Sequence, residues 1–495
     1  MALTLTREQK RAAATDAHRV FIIAAPGSGK TTVAAERYGV IRYSERPDGR
    51  SILALSFARS ARGELERRIR QRWGNSALRW PHRASTLDTL HHGLLSQLLR
   101  TEEILWFGGH KELMVIDSWR GQQGARPLEA DFKYCRVARL KGRKVATDGV
   151  RMGRPVFGFG NKHPHEAMLA DGICTHEEIR CVLRDALADA ELRKVIGGYL
   201  RSGTKAVIVD EVFDGNRLDL ELVKVAAEAG IPTTLIGDPW QALYEFRGAE
   251  PGLVPFLIAD LDFERFAVTE SFRFATDDMQ ALAEGLRAGA AVQLTPGTAG
   301  EADVVLASRW LPLWEVSEDV LPYAFGQIHN RTDAALALLL EPLATGYFGQ
   351  LARAAPEAAL ALNLTPEVVR NELPDILAPV LGRVSGGRTD DAVAALALLR
   401  QTLRNVGGRN IPALADPQEG VRVACLVALS KRLGRSRLVP GMTVHQAKGR
   451  EWKAVAVHLL PGQKARLASG LTEDRAGDRE IYVALTRAKE RVHNV

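Results

Sequence analysis

Ile22-Ile23-Ala24-Ala25-Pro26-Gly27-Ser28-Gly29-Lys30-Thr31-Thr32 joins an apolar, strand-like run to a glycine-rich turn that ends in Lys-Thr and opens a helical stretch. Gly27 and Gly29 free the backbone to wrap an anion with its N–H groups, and the helix that follows presents its positive end to the same point. Ala25, Pro26, Gly27, Ser28 and Gly29 thus form a phosphate cradle. Lys30 is placed to reach the β and γ phosphates, the Thr31 hydroxyl to ligate Mg²⁺, and Thr32 continues the first helical turn. Ala24 stands where the first glycine of the usual G-x-x-x-x-G-K-[ST] pattern would be.

The grammar around this string is that of a parallel α/β sheet. Short aliphatic runs at Val20–Ala24 and Ile52–Ser56 alternate with helical segments at Thr31–Tyr43, Ala58–Trp73 and Asp88–Leu99. It returns at Ala206–Asp210, Leu218–Ala229 and Pro232–Gly237. Between the two blocks lies a basic stretch with Lys133, Arg136, Arg139, Lys141, Arg143, Lys144, Arg151 and Arg154 against the single acid Asp148, read as an inserted, mainly helical subdomain. A Gly158-Phe159-Gly160 turn follows it. A second α/β unit is expected from Phe266, with strands at Phe266–Thr269, Asp303–Ala307, Tyr323–Ile328 and Lys453–Leu459 and a last one near Arg491–Val495. An Ala/Leu-rich helical insert interrupts it, with N-cap signals at Thr365 and Thr389 and turns at Gly386-Gly387 and Gly407-Gly408.

The chain's 495 residues exceed what one core supports. Its apolar content of 46% and charged content of 25% are those of a globular protein. A net charge of +7 favours a polyanionic partner. Four scattered cysteines fit a reducing compartment, and the apolar stretches are too short to span a bilayer, so a cytoplasmic protein without a membrane partner is expected.

A second nucleotide signature accompanies the first. Val207-Ile208-Val209-Asp210-Glu211 puts two acids at the end of an apolar strand, where ligands of such sheets bind. Asp210 can hold Mg²⁺ while Glu211 polarises the attacking water.

The order and wording of further segments resemble the UvrD/Rep/PcrA group of superfamily 1 DNA helicases. Gln9 in Leu5-Thr6-Arg7-Glu8-Gln9 resembles the motif whose amide reads adenine, and Leu55-Ser56-Phe57-Ala58-Arg59 the motif whose Phe57 ring stacks on a base. Ile236–Ala249 resembles a motif in which Gln241 senses the γ-phosphate while Tyr244, Phe246 and Arg247 face a single strand. Thr269-Glu270-Ser271-Phe272-Arg273 implies Phe272 on adenine and Arg273 as an arginine finger from across a cleft. Met442–Trp452 implies Glu451 near the ribose and Thr443 and His445 toward DNA, and Tyr482–Lys489 implies Arg487 as a second finger. Arg139, Lys141, Arg143 and Lys144 are read as phosphate contacts.

The fold so implied is α/β, with two RecA-like parallel-sheet lobes, each interrupted by an inserted, mainly helical subdomain. The first lobe takes residues 1–100 and 204–262 around insert 101–203. The second takes 263–343 and 441–495 around insert 344–440. The resemblance implies a 3′→5′ single-stranded DNA translocase or helicase that uses ATP and Mg²⁺ in the cleft and acts on single strands or single/double-strand junctions. Three departures stand out: Thr32 replaces the usual arginine over adenine, Phe213 occupies the fourth place of Asp210-Glu211-Val212-Phe213 where glutamine is usual, and Thr86-Leu87-Asp88-Thr89 lacks the usual Phe-His pair. They leave open a nucleic-acid-gated regulatory ATPase working with a nuclease partner, as in small UvrD-like components of anti-phage systems, and a non-enzymatic DNA-binding scaffold.

Overall fold

In the computed structural model, residues 4–44, 48–116, 134–151 and 162–495 are described. Lys133, Arg154 and the Gly158–Gly160 turn lie outside them. The chain divides into two compact units, Met1–Arg273 and Phe274–Val495.

The first unit opens with Arg7–Ala14 (α1), Arg19–Ala24 (β1), Lys30–Ser44 (α2), Ser51–Ser56 (β2), Arg59–Trp73 (α3), Arg83–Thr86 (β3) and Leu87–Arg100 (α4). Met114–Ile116 (β4), Tyr134–Lys141 (β5), Lys144–Arg151 (β6), Lys162–Ala170 (α5), Ile173–Thr175 (β7), His176–Ala188 (α6) and Ala190–Gly203 (α7) follow. Thr204–Asp210 (β8), Arg217–Glu228 (α8), Thr233–Gly237 (β9), Val254–Asp260 (α9) and Glu264–Val268 (β10) complete it. The main sheet runs β10-β1-β9-β8-β2-β3 with every pair parallel. Its four inner strands, β1, β9, β8 and β2, are buried on both faces, as crossover helices require. Val20, Ile22, Ala24, Ile52, Ala54, Ala206 and Ile208 pack with α1, α2 and α3 on one side. Phe21, Leu53, Leu55, Val207 and Val209, the alternate residues of the same strands, pack with α4, α6, α7 and α8 on the other.

Two expectations are corrected here. The strand at Phe266–Thr269 does not open the second unit, because β10 pairs with β1 from Val20↔Glu264 to Ala24↔Val268 and so closes the first sheet. The first insert is not simply helical. Its basic run folds as an antiparallel hairpin, β5 on β6, and β4 pairs with β7 in parallel. Leu105 extends the hairpin, donating its N–H to the Arg143 carbonyl at 2.8 Å and accepting from the Val145 N–H at 2.9 Å.

The second unit holds a parallel sheet built from Val304–Ala307 (β11), Val320–Pro322 (β12), Val439–Thr443 (β13), Trp452–His458 (β14) and Ala488–Asn494 (β15), in the order β12-β13-β11-β14-β15. The strand expected at Tyr323–Ile328 is instead the short β12 just before it. Helices at Glu341–Phe348, Ala355–Leu362, Leu373–Val384, Thr389–Gly407 and Asp416–Ser430 make up the helical insert. Thr365 accepts from the Val368 N–H at 3.3 Å as a cap does. Thr389, by contrast, is the first helical residue, and the cap position falls on Arg388. Among the described residues no helix is long and apolar enough to cross a membrane.

Candidate nucleotide site and nucleic-acid face

The turn between β1 and α2 has the predicted shape. Gly27 and Gly29 sit at φ +76° and +82°, conformations that side chains resist. The Ser28 hydroxyl donates to the Ala25 carbonyl at 2.7 Å and pins the turn. Lys30, the first helical residue, is buried, and burial pulls its ammonium below the usual lysine range against the opposing fields of Glu211, Asp238 and Asp210. Arg273 adds to the depression, so its charge is felt at Lys30.

On the other side of the turn the Thr31 hydroxyl donates to Asp210 Oδ2 at 3.0 Å. Asp210 is 2% exposed, and burial together with Glu211 pushes its carboxyl up to about 7. Its second oxygen, Oδ1, is buried without a hydrogen-bond partner among the described residues. A hydroxyl and a carboxylate with an orphaned oxygen form a hard-oxygen donor set that suits Mg²⁺. Thr31 and Asp210 are the residues that would hold it, and the ion would neutralise phosphate oxygens when bound. Glu211 takes a left-handed conformation, φ +61°, rare outside glycine and typical of backbone held in place at a functional site. Gln241 donates to Asp238 Oδ2 at 2.7 Å. Asp238 is a residue to which the sequence reading gave no role, yet it directly follows the buried strand β9, as Asp210 ends the buried strand β8.

Gln9 is buried, and its amide is engaged: Oε1 accepts the Thr6 N–H at 3.0 Å and Nε2 donates to the Ser28 carbonyl at 2.8 Å. It therefore ties α1 to the cradle. Arg37 on α2 anchors the far end of α1, donating to the carbonyls of Ala13, Thr15 and Ala17. Neither this arginine nor its role was legible beforehand.

The segment after β10 lies directly on the cradle. The Glu8 carboxylate accepts the Thr269 N–H at 2.7 Å, the Ser271 hydroxyl donates to the Pro26 carbonyl at 2.7 Å, and the Phe272 N–H donates to the Gly27 carbonyl at 3.0 Å. A Cβ at Gly27 would overlap the Cβ of Arg273. Arg273 thus lies beside the cradle at the end of this strap, within the first unit. Phe272 is 58% exposed at its edge.

Tyr244, Phe246 and Arg247 form one cluster. The Arg247 guanidinium lies 5.3 Å from the Tyr244 ring centroid and 5.4 Å from that of Phe246. Phe246 is 59% exposed. Phe57 is half-buried against the core and meets the backbone turn at Gly215, where an added Cβ would approach its ring to 3.3 Å.

On the hairpin, Asp148 of its own second strand and two acids from distant segments oppose the basic run. Arg139 makes a two-pronged bond to Asp185, both contacts at 2.7 Å; Lys141 faces Asp148 at 3.4 Å, and Arg143 faces Glu103 at 3.7 Å. Lys144, beside the Gly142 turn, has no ion pair among the described residues.

In the second unit Arg487 is buried, donating to the carbonyls of Val483 and Arg450 at 3.2 and 3.3 Å. Glu451 pairs with Lys489 at 2.6 Å and borders a depression of about 590 Å³ with Gln350, Leu351, Arg450 and Trp452. Thr443 ends β13 and caps the next turn, and the His445 ring lies 3.8 Å from Glu480.

A buried ionic chain escaped the sequence reading. His91 on α4 is 1% exposed and lies 3.0 Å from Asp219 at the start of α8 and 3.7 Å from Asp88, which Arg180 on α6 meets at 2.6 Å. Burial alone would lower the imidazole, but the two carboxylates outweigh it and raise it above its ordinary value. A raised folded-state value stabilises the fold fully below the unfolded value of about 6.5 and loses that contribution as pH rises through the folded value. His91→Gln is therefore expected to lower the melting temperature more at pH 6 than at pH 9. Equal losses at both would show His91 to be neutral in the fold.

Comparison with known proteins matches part of the chain. The UvrD/REP helicase N-terminal domain family model matches residues 5–119 and 171–260. The chain is 24% identical over 323 residues to DNA helicase IV of Escherichia coli, covering 54% of this chain and 45% of that protein. It is 24% identical over 272 residues to the ATP-dependent DNA helicase UvrD1 of Mycobacterium tuberculosis, covering 50% and 34%. A probable DNA helicase II homolog of Mycoplasma pneumoniae is 24% identical over 307 residues, covering 54% and 40%. The matched part thus spans less than half the length of each of these relatives.

Proposed function

We propose that this chain is a UvrD-like superfamily 1 protein, an ATP- and Mg²⁺-dependent motor that binds single-stranded DNA and moves along it 3′→5′. The observation that carries the reading is the set Lys30, Thr31, Asp210 and Glu211: a buried ammonium on a glycine cradle beside a strand-end carboxylate with one oxygen left for a cation. Arg487 and Glu451, which the resemblance assigns to the same nucleotide, lie on the second unit.

The test is ATP hydrolysis with and without mixed-sequence single-stranded DNA, paired with strand displacement on a 3′-tailed duplex. Stimulation with displacement supports the motor. No hydrolysis under any condition overturns it. A second reading, a DNA-gated ATPase that serves a nuclease partner without unwinding, draws on Phe213. That side chain is buried edge-on to Phe21, centroids 6.2 Å apart, so the fourth place of the motif is core and offers no polar group for coupling hydrolysis to DNA. Stimulation without displacement favours it.

The grip on DNA separates into two measurable parts. Replacing Lys141 and Lys144 with Gln should reduce the steepness of affinity against salt by about 0.7 for each single-strand phosphate that the variant no longer neutralises. Arg139→Gln should instead destabilise the hairpin by stranding Asp185. Phe246→Ala should weaken binding by roughly 1–3 kcal/mol with the salt dependence unchanged, because stacking releases no counterions.

A further inference from the structure

Just before β14 the chain turns through Gly449 at φ +84°, and the Arg450 N–H donates to the Ala447 carbonyl at 3.0 Å. A single backbone bond beside a glycine is a weak hold, because glycine leaves its neighbours the most freedom. Yet this turn brackets Arg487: the Arg450 carbonyl accepts from Arg487 Nη1 at 3.3 Å, and the Trp452 N–H donates to the Arg487 carbonyl at 3.0 Å. Between the two brackets stands Glu451, paired with Lys489. A shift of this turn therefore moves both groups that the proposed function places on the nucleotide from the second unit.

The side chain that steadies the turn reaches the helical insert. Arg450 Nη1 donates to Gln350 Oε1 at 2.5 Å, and the same oxygen accepts the Tyr323 hydroxyl at 3.3 Å, on the rim of the depression that Glu451 and Trp452 border. Gln350 is a fixed acceptor. Its helix, Glu341–Phe348, ends in a left-handed cap at Gly349, and the Ala352 N–H donates to Glu341 Oε2 at 2.7 Å, closing the segment back on that helix. The Arg353 N–H donates to the Tyr323 carbonyl at 2.9 Å, while the buried Tyr323 ring packs on Phe348 with centroids 5.5 Å apart. Tyr323 is held in turn to β13, donating its N–H to the Gly441 carbonyl at 3.0 Å.

We propose that Arg450 is a positioning residue for nucleotide hydrolysis, its clasp on Gln350 holding the 447–452 turn so that Arg487 and Glu451 meet the nucleotide in one geometry. The inference rests on the proposed function and deepens it, because the site then depends on a residue of the helical insert that acts only through Arg450. Phosphate binding by the cradle lies in the first unit and is untouched. A small misplacement of a group that stabilises the transition state costs rate before it costs affinity.

The experiment measures ATP turnover of the full chain at saturating mixed-sequence single-stranded DNA, in wild type, Arg450→Leu, Arg450→Lys, Gln350→Leu and the double leucine variant. Hydrogen exchange of the peptide covering residues 447–453 is followed in the nucleotide-free chain, and Tm reports folding. Each single leucine substitution is expected to lower kcat by about three- to tenfold, the scale of one hydrogen bond, with KM and Tm unchanged. The double variant should lose no more than either single one, since both remove the same contact. Lysine keeps a donor but not the planar fork and should recover part of the loss. Exchange should quicken in both single leucine variants, because the turn opens more often. Additive losses, a loss of turnover that tracks a fall in Tm, a rise in KM with kcat intact, or unchanged exchange would each overturn the positioning role while leaving the motor standing. A wild-type chain that hydrolyses no ATP overturns the proposed function and this inference with it.

Discussion

Glu211→Gln should bind ATP nearly as well as the wild type and turn it over about 10²–10⁴-fold more slowly, the range that loss of a positioned base commands. The amide keeps the size of the side chain at a backbone position held at φ +61°, and it leaves the cradle, Thr31 and Asp210 in place. What it removes is the charge that polarises water, together with the first of the fields that keep the Lys30 ammonium charged against burial. The triphosphate replaces that field when it binds, so affinity survives. Lys30→Ala should lose affinity and turnover together, and a melting curve should accompany it because the substitution leaves Asp210, Glu211 and Asp238 without their shared cation. Phosphate release and equilibrium nucleotide binding separate the two variants. Wild-type turnover in either would end the hydrolase reading.

Arg273→Ala should cut turnover by about 10³-fold with little change in nucleotide affinity, by the logic of arginine fingers. The strap that carries it is fixed through Ser271 to Pro26 and through the Phe272 N–H to Gly27, so the guanidinium is delivered by backbone bonded to the cradle itself. Arg273→Lys keeps the charge but not the planar fork and should recover only part of the loss. If Arg273→Ala weakens binding and spares turnover, the residue clasps the bound nucleotide and has no special hold on the transition state.

The cradle was legible because its chemistry is local: glycine at positive φ, a lysine one residue into a helix and a strand ending in acids are each written in a few consecutive residues. Partners across the sheet were not. β10 reads as a strand, but its sequence says nothing of which edge it joins, and its mostly exposed residues mark only an edge. β13 hides behind Pro440 and Gly441, which ordinarily signal a turn, and β3 is four residues long with an exposed arginine. In Arg136-Val137-Ala138-Arg139-Leu140-Lys141 the density of positive charge masked the alternation of a hairpin. The acids that answer it, Glu103 and Asp185, are too far along the chain for local charge counting to find.

The strand order β10-β1-β9-β8-β2-β3 also bears on how the chain is made. β1 borders only β9 and β10, so when the ribosome has delivered residues 1–100 the cradle strand has no neighbour, and β2 has only the short β3. The missing strands arrive after more than a hundred further residues, a wait of roughly ten seconds at ordinary elongation rates. During that interval Val20, Ile22, Ile52 and Leu55, buried in the finished unit, stand open to water on unpaired strand edges. Nascent chains stalled within the insert should therefore recruit holding chaperones and resist refolding. Fragments released after Arg273 should fold, which places the smallest unit worth expressing at residues 1–273.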